Sequence, residues 1–255
     1  MQTLRLTFES FRFAWDALKS NLLRTILSLL GVTVGIFAII AVFTIVDSLE
    51  ANIRSSLDFV GDKVIYVSKW PFAFDADFPW WKYFNRPVPT PREYQQLRKQ
   101  LGPNNKGIAI FAANSGNTLK EGSNSVADCV LQGVSYDFRV VSNVPIKRGR
   151  YFTTQEMGAA RPVAIIGATV AENLFPNGDA LGQQFKARGQ ILTVIGVMEK
   201  EGKKLITISS NDASCIIPFG LFTKLFALST TGFGGGPSAT IAVKGRDEDP
   251  GLLDL

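Results

Sequence analysis

From Thr25 to Val46 the chain reads TILSLLGVTVGIFAIIAVFTIV, flanked by Arg24 and Asp47, and carries no charge. As a helix this run rises about 33 Å at ~1.5 Å per residue, close to the ~30 Å hydrocarbon core of a bilayer. Its only polar side chains are Thr and Ser, whose hydroxyls can bond back to their own helix backbone. A helix of this length buried in a soluble protein usually keeps a polar face. A cleaved signal peptide has a shorter apolar core and a small-x-small cleavage site, and neither fits here. The sequence therefore predicts one membrane-spanning helix over residues 21–48, with the lipid bilayer as its first partner.

The flanks add detail. Over residues 1–20, Leu4, Phe8, Phe11, Trp15 and Leu18 fall at helical spacing, with Arg5, Glu9, Arg12, Asp16 and Lys19 off that stripe. This predicts an amphipathic helix lying in the membrane interface. Arg5, Arg12, Lys19 and Arg24 precede the span, whereas Arg54 and Lys63 follow it, so the N-terminus is expected in the cytoplasm and residues 49–255 outside. Within the span Ser28, Gly31, Gly35 and Ala38 form a small-residue face on which another helix could pack closely. Leu49, Ile53, Leu57 and Val60 keep a helical stripe beyond the span, predicting a helical stalk over 49–62 that ends at Gly61.

Past residue 63 the pattern shortens. KVIYVS, IAIFAAN, NTLKE, VADCVLQGVS, PVAIIG, CIIPF and ATIAVK read as strands, with a turn at 121–124. PREYQQLRKQL reads as a helix capped by Thr90 with Pro91 at its first position, and ATVAENLF as a shorter one. GQQFKARGQILTVIGVMEK reads as a hairpin turning at 187–190. The expected fold class is α+β: an amphipathic and a transmembrane helix, then a domain over 63–255 with mixed, mostly antiparallel pairing. Between the first strand and the capped helix lies a Pro- and aromatic-rich loop. Its Trp70, Trp80, Trp81 and Tyr83 are candidates for an interface or for plugs of the domain's own core.

Composition narrows the chemistry. The chain has no histidine, which removes His-based triads and the commonest zinc sites. Cys129 and Cys215 are too few for a cysteine-only metal site; they could pair as a disulfide in an oxidising compartment, but both lie in apolar, strand-like surroundings, and two buried free thiols is the better reading. A net charge of +5 is scattered rather than striped, which argues against nucleic acid. GFGGGPS at 232–238 lacks the Lys-Ser/Thr of a phosphate loop and reads as a plain loop. Gly167 marks a strand-to-helix entry where backbone N–H groups can meet anions, although a tight turn is the better reading. No catalytic constellation, metal site or cofactor site emerges, and the chain is not expected to be an enzyme.

The order of amphipathic helix, LSLLGVTVGIFAIIAVFTIVDSL and strand-rich domain resembles the N-terminal part of MacB-type ABC-transporter permeases, a group similar to FtsX-like and lipoprotein-releasing permeases. GRYFTTQE carries the resemblance through Gly149, Arg150, Phe152 and Glu156. VAIIGATVAENLF carries it through Val163, Ile166, Gly167, Leu174 and Phe175, and the stretch to TVIGV through Gly182, Gly189, Val194, Gly196 and Val197. The resemblance implies an inner-membrane permease whose periplasmic core domain has two lobes, one inserted around 139–215. It implies a homodimer or paired permease driven by a cytoplasmic ABC ATPase. In efflux members a periplasmic adaptor and an outer-membrane channel complete the path. The family has three further spans after this domain, so the chain is expected to be the N-terminal portion of an efflux or lipoprotein/peptide exporter. The alternative from another class is a single-span, membrane-anchored interaction or sensor domain without transport activity.

Overall fold

The computed structural model describes residues 21–57, 64–70, 86–102, 105–201, 211–229 and 236–245, together with Glu9, Arg12, Phe13, Trp15, Lys19, Trp81 and Tyr83. Most of the expected amphipathic helix over 1–20, the end of the stalk at Val60 and Gly61, Trp80, and the glycines at 232–235 lie outside these residues. The chain divides into two units, Met1–Arg54 and Ser55–Leu255.

In the first unit one helix dominates. Helix α1 (Leu22–Leu57) is 36 residues long and runs past Asp47 without a break. Within Leu22–Ala51 an 18-residue window reaches a mean hydropathy of 2.7, and none of that window is buried against protein. Phe37 and Ile45 are 72% and 67% exposed. A helix apolar all round needs an apolar surrounding. Its polar groups are met internally: the hydroxyls of Thr33 and Thr44 donate to Leu29 O and Ile40 O at 2.7 and 2.8 Å.

The second unit is built on a sheet. Its strands are β1 (Val64–Val67), β2 (Gly107–Glu121), β3 (Asn124–Val134), β4 (Ile146–Gly149), β5 (Val163–Ile166), β6 (Gln184–Ala187), β7 (Gln190–Met198), β8 (Ser214–Pro218) and β9 (Ala239–Lys244). The order is β1-β9-β2-β3-β8-β5-β7-β4, and β6 pairs with both β2 and β7. Strands β2, β3, β8, β5, β7 and β6 thus close into a ring. Among the described residues, β3–β8 and β5–β7 are the parallel pairs. The mixed, mostly antiparallel α+β domain expected from the sequence is the one observed.

The helices fit the edges of this frame. Helix α2 (Pro91–Leu101) begins with a full capping box between Thr90 and Glu93. It lays Tyr94, Leu97 and Leu101 on Ile108, Ile110, Ile241 and Val243. The short helices α3 (Phe138–Val141), α4 (Thr154–Gly158), α5 (Ala168–Leu174) and α6 (Phe219–Leu225) complete the unit. The largest core gathers Leu119, Leu131, Ile166, Val170, Leu174, Phe185, Leu192, Ile217 and Phe222 from strands and helices alike. The segment expected as an inserted lobe supplies β4 to β7, which share a ring and this core with β2, β3 and β8. Ser55–Leu255 is one compact unit.

One detail departs from the sequence reading. IAIFAAN and NTLKE are not two strands but one, β2, with register shifts between Asn114 and Leu119. Gly116 takes φ +73° there, and the buried Asn117 amide donates to Asn114 O at 2.7 Å. The bulges absorb the break in alternation, so pairing with β3 continues on both sides.

Candidate functional site

The motif residues fall largely in one place, where β4 leaves β7. Gly149 takes φ +85°, and a Cβ there would stand 2.3 Å from Ile195 O. A Cβ on Gly196 would meet Arg150 O at 2.8 Å. Both glycines let two backbones approach closely, and Arg150 N donates to Ile195 O at 3.0 Å. From this point Arg150 reaches forward. Its guanidinium donates through Nη1 and Nη2 to the two Glu156 oxygens at 2.8 and 2.7 Å.

Glu156 has a second duty. It is the third residue of α4, where Thr153 N donates to its Oε2 at 2.8 Å and its own N donates to Thr153 Oγ1 at 3.2 Å. The bonds from Arg150, and then those from Thr153, hold the Glu156 carboxyl down at about 2. Phe152 between them is 2% exposed and sends its ring into the second core with Ile165 and Met198. GRYFTTQE is thus a fastening of β4 and α4 rather than reactive chemistry. The signal was present in the sequence as the T-x-x-E of a capping box.

The remaining motif residues act singly. Gly167 caps α5 without a side chain, and a Cβ there would strike Asn211 O and Asp212 O at 2.2 and 2.3 Å. Those carbonyls crowd the helix entry, so the tight-turn reading fits and an anion cradle does not. Leu174 is fully buried, and its carbonyl accepts from the Asn124 amide at 3.0 Å; Phe175 is half-buried beside it. Gly182 takes φ +78° with open space around it, its N–H donating to Val194 O at 2.8 Å.

The small residues of the predicted span belong to the first unit. A Cβ on Gly31 or Gly35 would meet nothing within 4 Å, so among the described residues nothing covers the face that they share with Ser28 and Ala38. Of the aromatic loop, Trp70 is half-buried with the Lys69 ammonium 5.3 Å from its ring. Trp81 is 60% exposed, and the Arg86 guanidinium stacks 4.0 Å from the Tyr83 ring. They do not join the motif cluster.

Both cysteines are buried free thiols. The parallel register of β3 and β8 sets Cys215 opposite Leu131, two residues from Cys129. That offset separates the two Cα atoms by roughly 8 Å, beyond the ~7 Å limit of a bridge without backbone movement. Burial pushes the Cys129 thiol up to about 12, which keeps it protonated and inert. Among the described residues no three His, Cys, Asp or Glu side chains converge to hold a metal.

Comparison with known proteins places these features. The profile of the MacB-like periplasmic core domain matches residues 25–250. The macrolide export ATP-binding/permease protein MacB of Marinobacter nauticus is 27% identical over 194 residues, covering 76% of this chain and 29% of that protein. The uncharacterized ABC transporter permease YvrN of Bacillus subtilis is 25% identical over 198 residues, 77% of this chain and 48% of its own. The pyoverdine export protein PvdT of Pseudomonas aeruginosa is 24% identical over 194 residues, 76% of this chain and 28% of its own. The chain thus spans between a quarter and a half of these relatives' lengths. In fold it is similar to the periplasmic region of MacB from Actinobacillus actinomycetemcomitans, at a TM-score of 0.57 and 17% identity over 78% of this chain and 81% of that one. The extracellular domain of the transporter YknZ from Gram-positive bacteria is similar at 0.50, with 22% identity over 64% of this chain and 75% of that one.

Proposed function

The chain belongs to the family of the MacB-like periplasmic core domain, a part of ABC-transporter permeases, and from that premise we propose that it works as the anchored, force-receiving portion of an exporter. The observation that carries this reading is the continuity of α1. At ~1.5 Å per residue its 36 residues measure about 54 Å, well beyond the ~30 Å that lipid requires. The excess is a helical stalk on the far side of the membrane from the N-terminus. ATP hydrolysis by a cytoplasmic ABC ATPase displaces the span, and the stalk passes the displacement to residues 63–255.

Several parts of this reading rest on the sequence. The excess of Lys and Arg before the span supports a cytoplasmic N-terminus and a periplasmic sheet domain in the inner membrane. The uncovered face at Ser28, Gly31, Gly35 and Ala38 suits a second span, of this permease or of a paired copy. The segment around 139–215, which carries β4 to β7, is read as a lobe inserted in chain order and joined to the rest of the domain through the shared ring and core. The motif residues from Gly149 to Gly196 hold that lobe in shape rather than touch cargo. The names of the relatives mention macrolide and pyoverdine export; the cargo class here is efflux or lipoprotein/peptide export, received with a periplasmic adaptor and an outer-membrane channel.

The test is recovery of the partner. Purified from its native membrane in mild detergent through a tag on the chain, the protein should bring an ATP-hydrolysing ABC subunit, identified by mass spectrometry as a separate chain or as part of its own polypeptide. Intact chain recovered without any such subunit would favour the anchored interaction or sensor domain.

A further inference from the structure

Four side chains line up across four strands on the outer face of the ring. The register pairs Ser125 of β3 with Lys120 of β2, Lys120 with Lys186 of β6, and Lys186 with Ile191 of β7. All four are exposed, Ile191 by 54%, while their strand neighbours Leu119, Phe185, Ala187 and Leu192 are buried in the core behind them. The two lysines are therefore direct cross-strand partners in an antiparallel pair. Like charges so placed repel and cost stability. Neither forms an ion pair among the described residues. The next residue along β2, Glu121, lies on the opposite side of the strand by alternation and does not relieve the pair.

The repulsive pair breaks a local rule of strand pairing, with the exposed Ile191 beside it, and such breaks concentrate at functional sites. We propose that this row is a docking surface for an acidic, partly apolar protein segment. Its carboxylates would bridge Lys120 and Lys186, and an aliphatic side chain would cover Ile191. Gln184 and Thr193, paired in the adjacent row, add hydrogen-bonding groups beside it. Two cations are too few to hold an anionic membrane surface, which takes clusters of about four to eight. A discrete acidic group on a polypeptide matches the pair in charge and in scale. The proposal stands on the register and exposure of these residues and does not depend on the exporter reading.

The test uses the full chain in nanodiscs of zwitterionic lipid. The probes are a fluorescent peptide alternating Glu and Val, its Lys–Val counterpart, and vesicles containing phosphatidylglycerol. The Glu–Val peptide should bind at low salt and the Lys–Val peptide should not. Its affinity should fall about tenfold in Lys120→Gln/Lys186→Gln, as expected for the loss of charge-assisted contacts, and severalfold in Ile191→Thr. Lys186→Glu should weaken peptide binding while raising the melting temperature, because it turns a repulsive cross-strand pair into an attractive one. Equal peptide affinity in wild type and the double Gln variant would overturn the proposal, as would no binding of the Glu–Val peptide. Vesicle capture that depends on the two lysines, without peptide binding, would make the partner a lipid surface and overturn it too. A lower melting temperature in Lys186→Glu would refute the repulsion on which it rests.

Discussion

At the scale of single residues, Glu156 binds two elements together, since one carboxylate accepts from Arg150 on the β4 side and from Thr153 at the start of α4. Its side chain is 12% exposed, whereas Arg150 is 52% exposed, so solvent screens the pair in part. Glu156→Gln should therefore cost about 1–2 kcal/mol at neutral pH, the sum of a weakened cap and a screened ion pair. The pH dependence follows from the depressed carboxyl, at about 2 when folded against an ordinary 4.5. Stabilisation by the charge is complete above the ordinary value and is lost as pH falls toward about 2. Urea unfolding of wild type and Glu156→Gln should thus differ at pH 7 and converge toward the acid end of that window. A gap that stays constant across it would show that the carboxylate charge contributes nothing.

At the scale of elements, α1 and the hairpins behave differently. A helix that spans a bilayer draws its stability from backbone bonds and lipid, so on the proposed reading the continuity of α1 matters more than its surface chemistry. Ala51 lies in its interior, four residues past Asp47. Proline there removes a helical hydrogen bond and kinks the helix, at about 3 kcal/mol or more, whereas serine is nearly silent. Ser123, exposed in the turn between β2 and β3, gives a reporter position. With Ser123→Cys carrying an environment-sensitive dye in the assembled transporter, ATP should change the signal in the Ala51→Ser background and not in Ala51→Pro at equal membrane abundance. An undiminished response in the proline variant would remove the stalk as transmitter.

At the scale of the whole molecule, the buried state of both native cysteines makes topology directly measurable. Cys129 and Cys215 are 0% exposed, so a membrane-impermeant maleimide should leave wild type unlabelled without any cysteine being replaced. Ser123→Cys should react in intact spheroplasts if the sheet domain is periplasmic. Labelling that requires lysis would place that domain in the cytoplasm and reverse the proposed orientation.

What could be read directly from the sequence was whatever a short stretch dictates by itself. The uncharged run set one long helix, apolar on every side and long enough to cross a membrane, because a run without charges carries no local break. Thr90 with Pro91 and Glu93 fixed the start of α2, and the 187–190 turn fixed the β6–β7 hairpin, since caps and tight turns bond only to near neighbours. The resemblance brought Gly149, Arg150 and Gly196 forward, but their reason is a contact between segments about forty-six residues apart, which no local pattern displays. The same holds for the union of two apparent strands into β2, which rests on pairing with β3 across the bulges. The offset that keeps Cys129 from Cys215 is a property of the parallel β3–β8 register. The opposition of Lys120 and Lys186, residues from separate hairpins, exists only because β6 closes the ring. Local chemistry thus set the elements and the anchor. Register and ring closure, which depend on strands remote in sequence, decided which side chains meet.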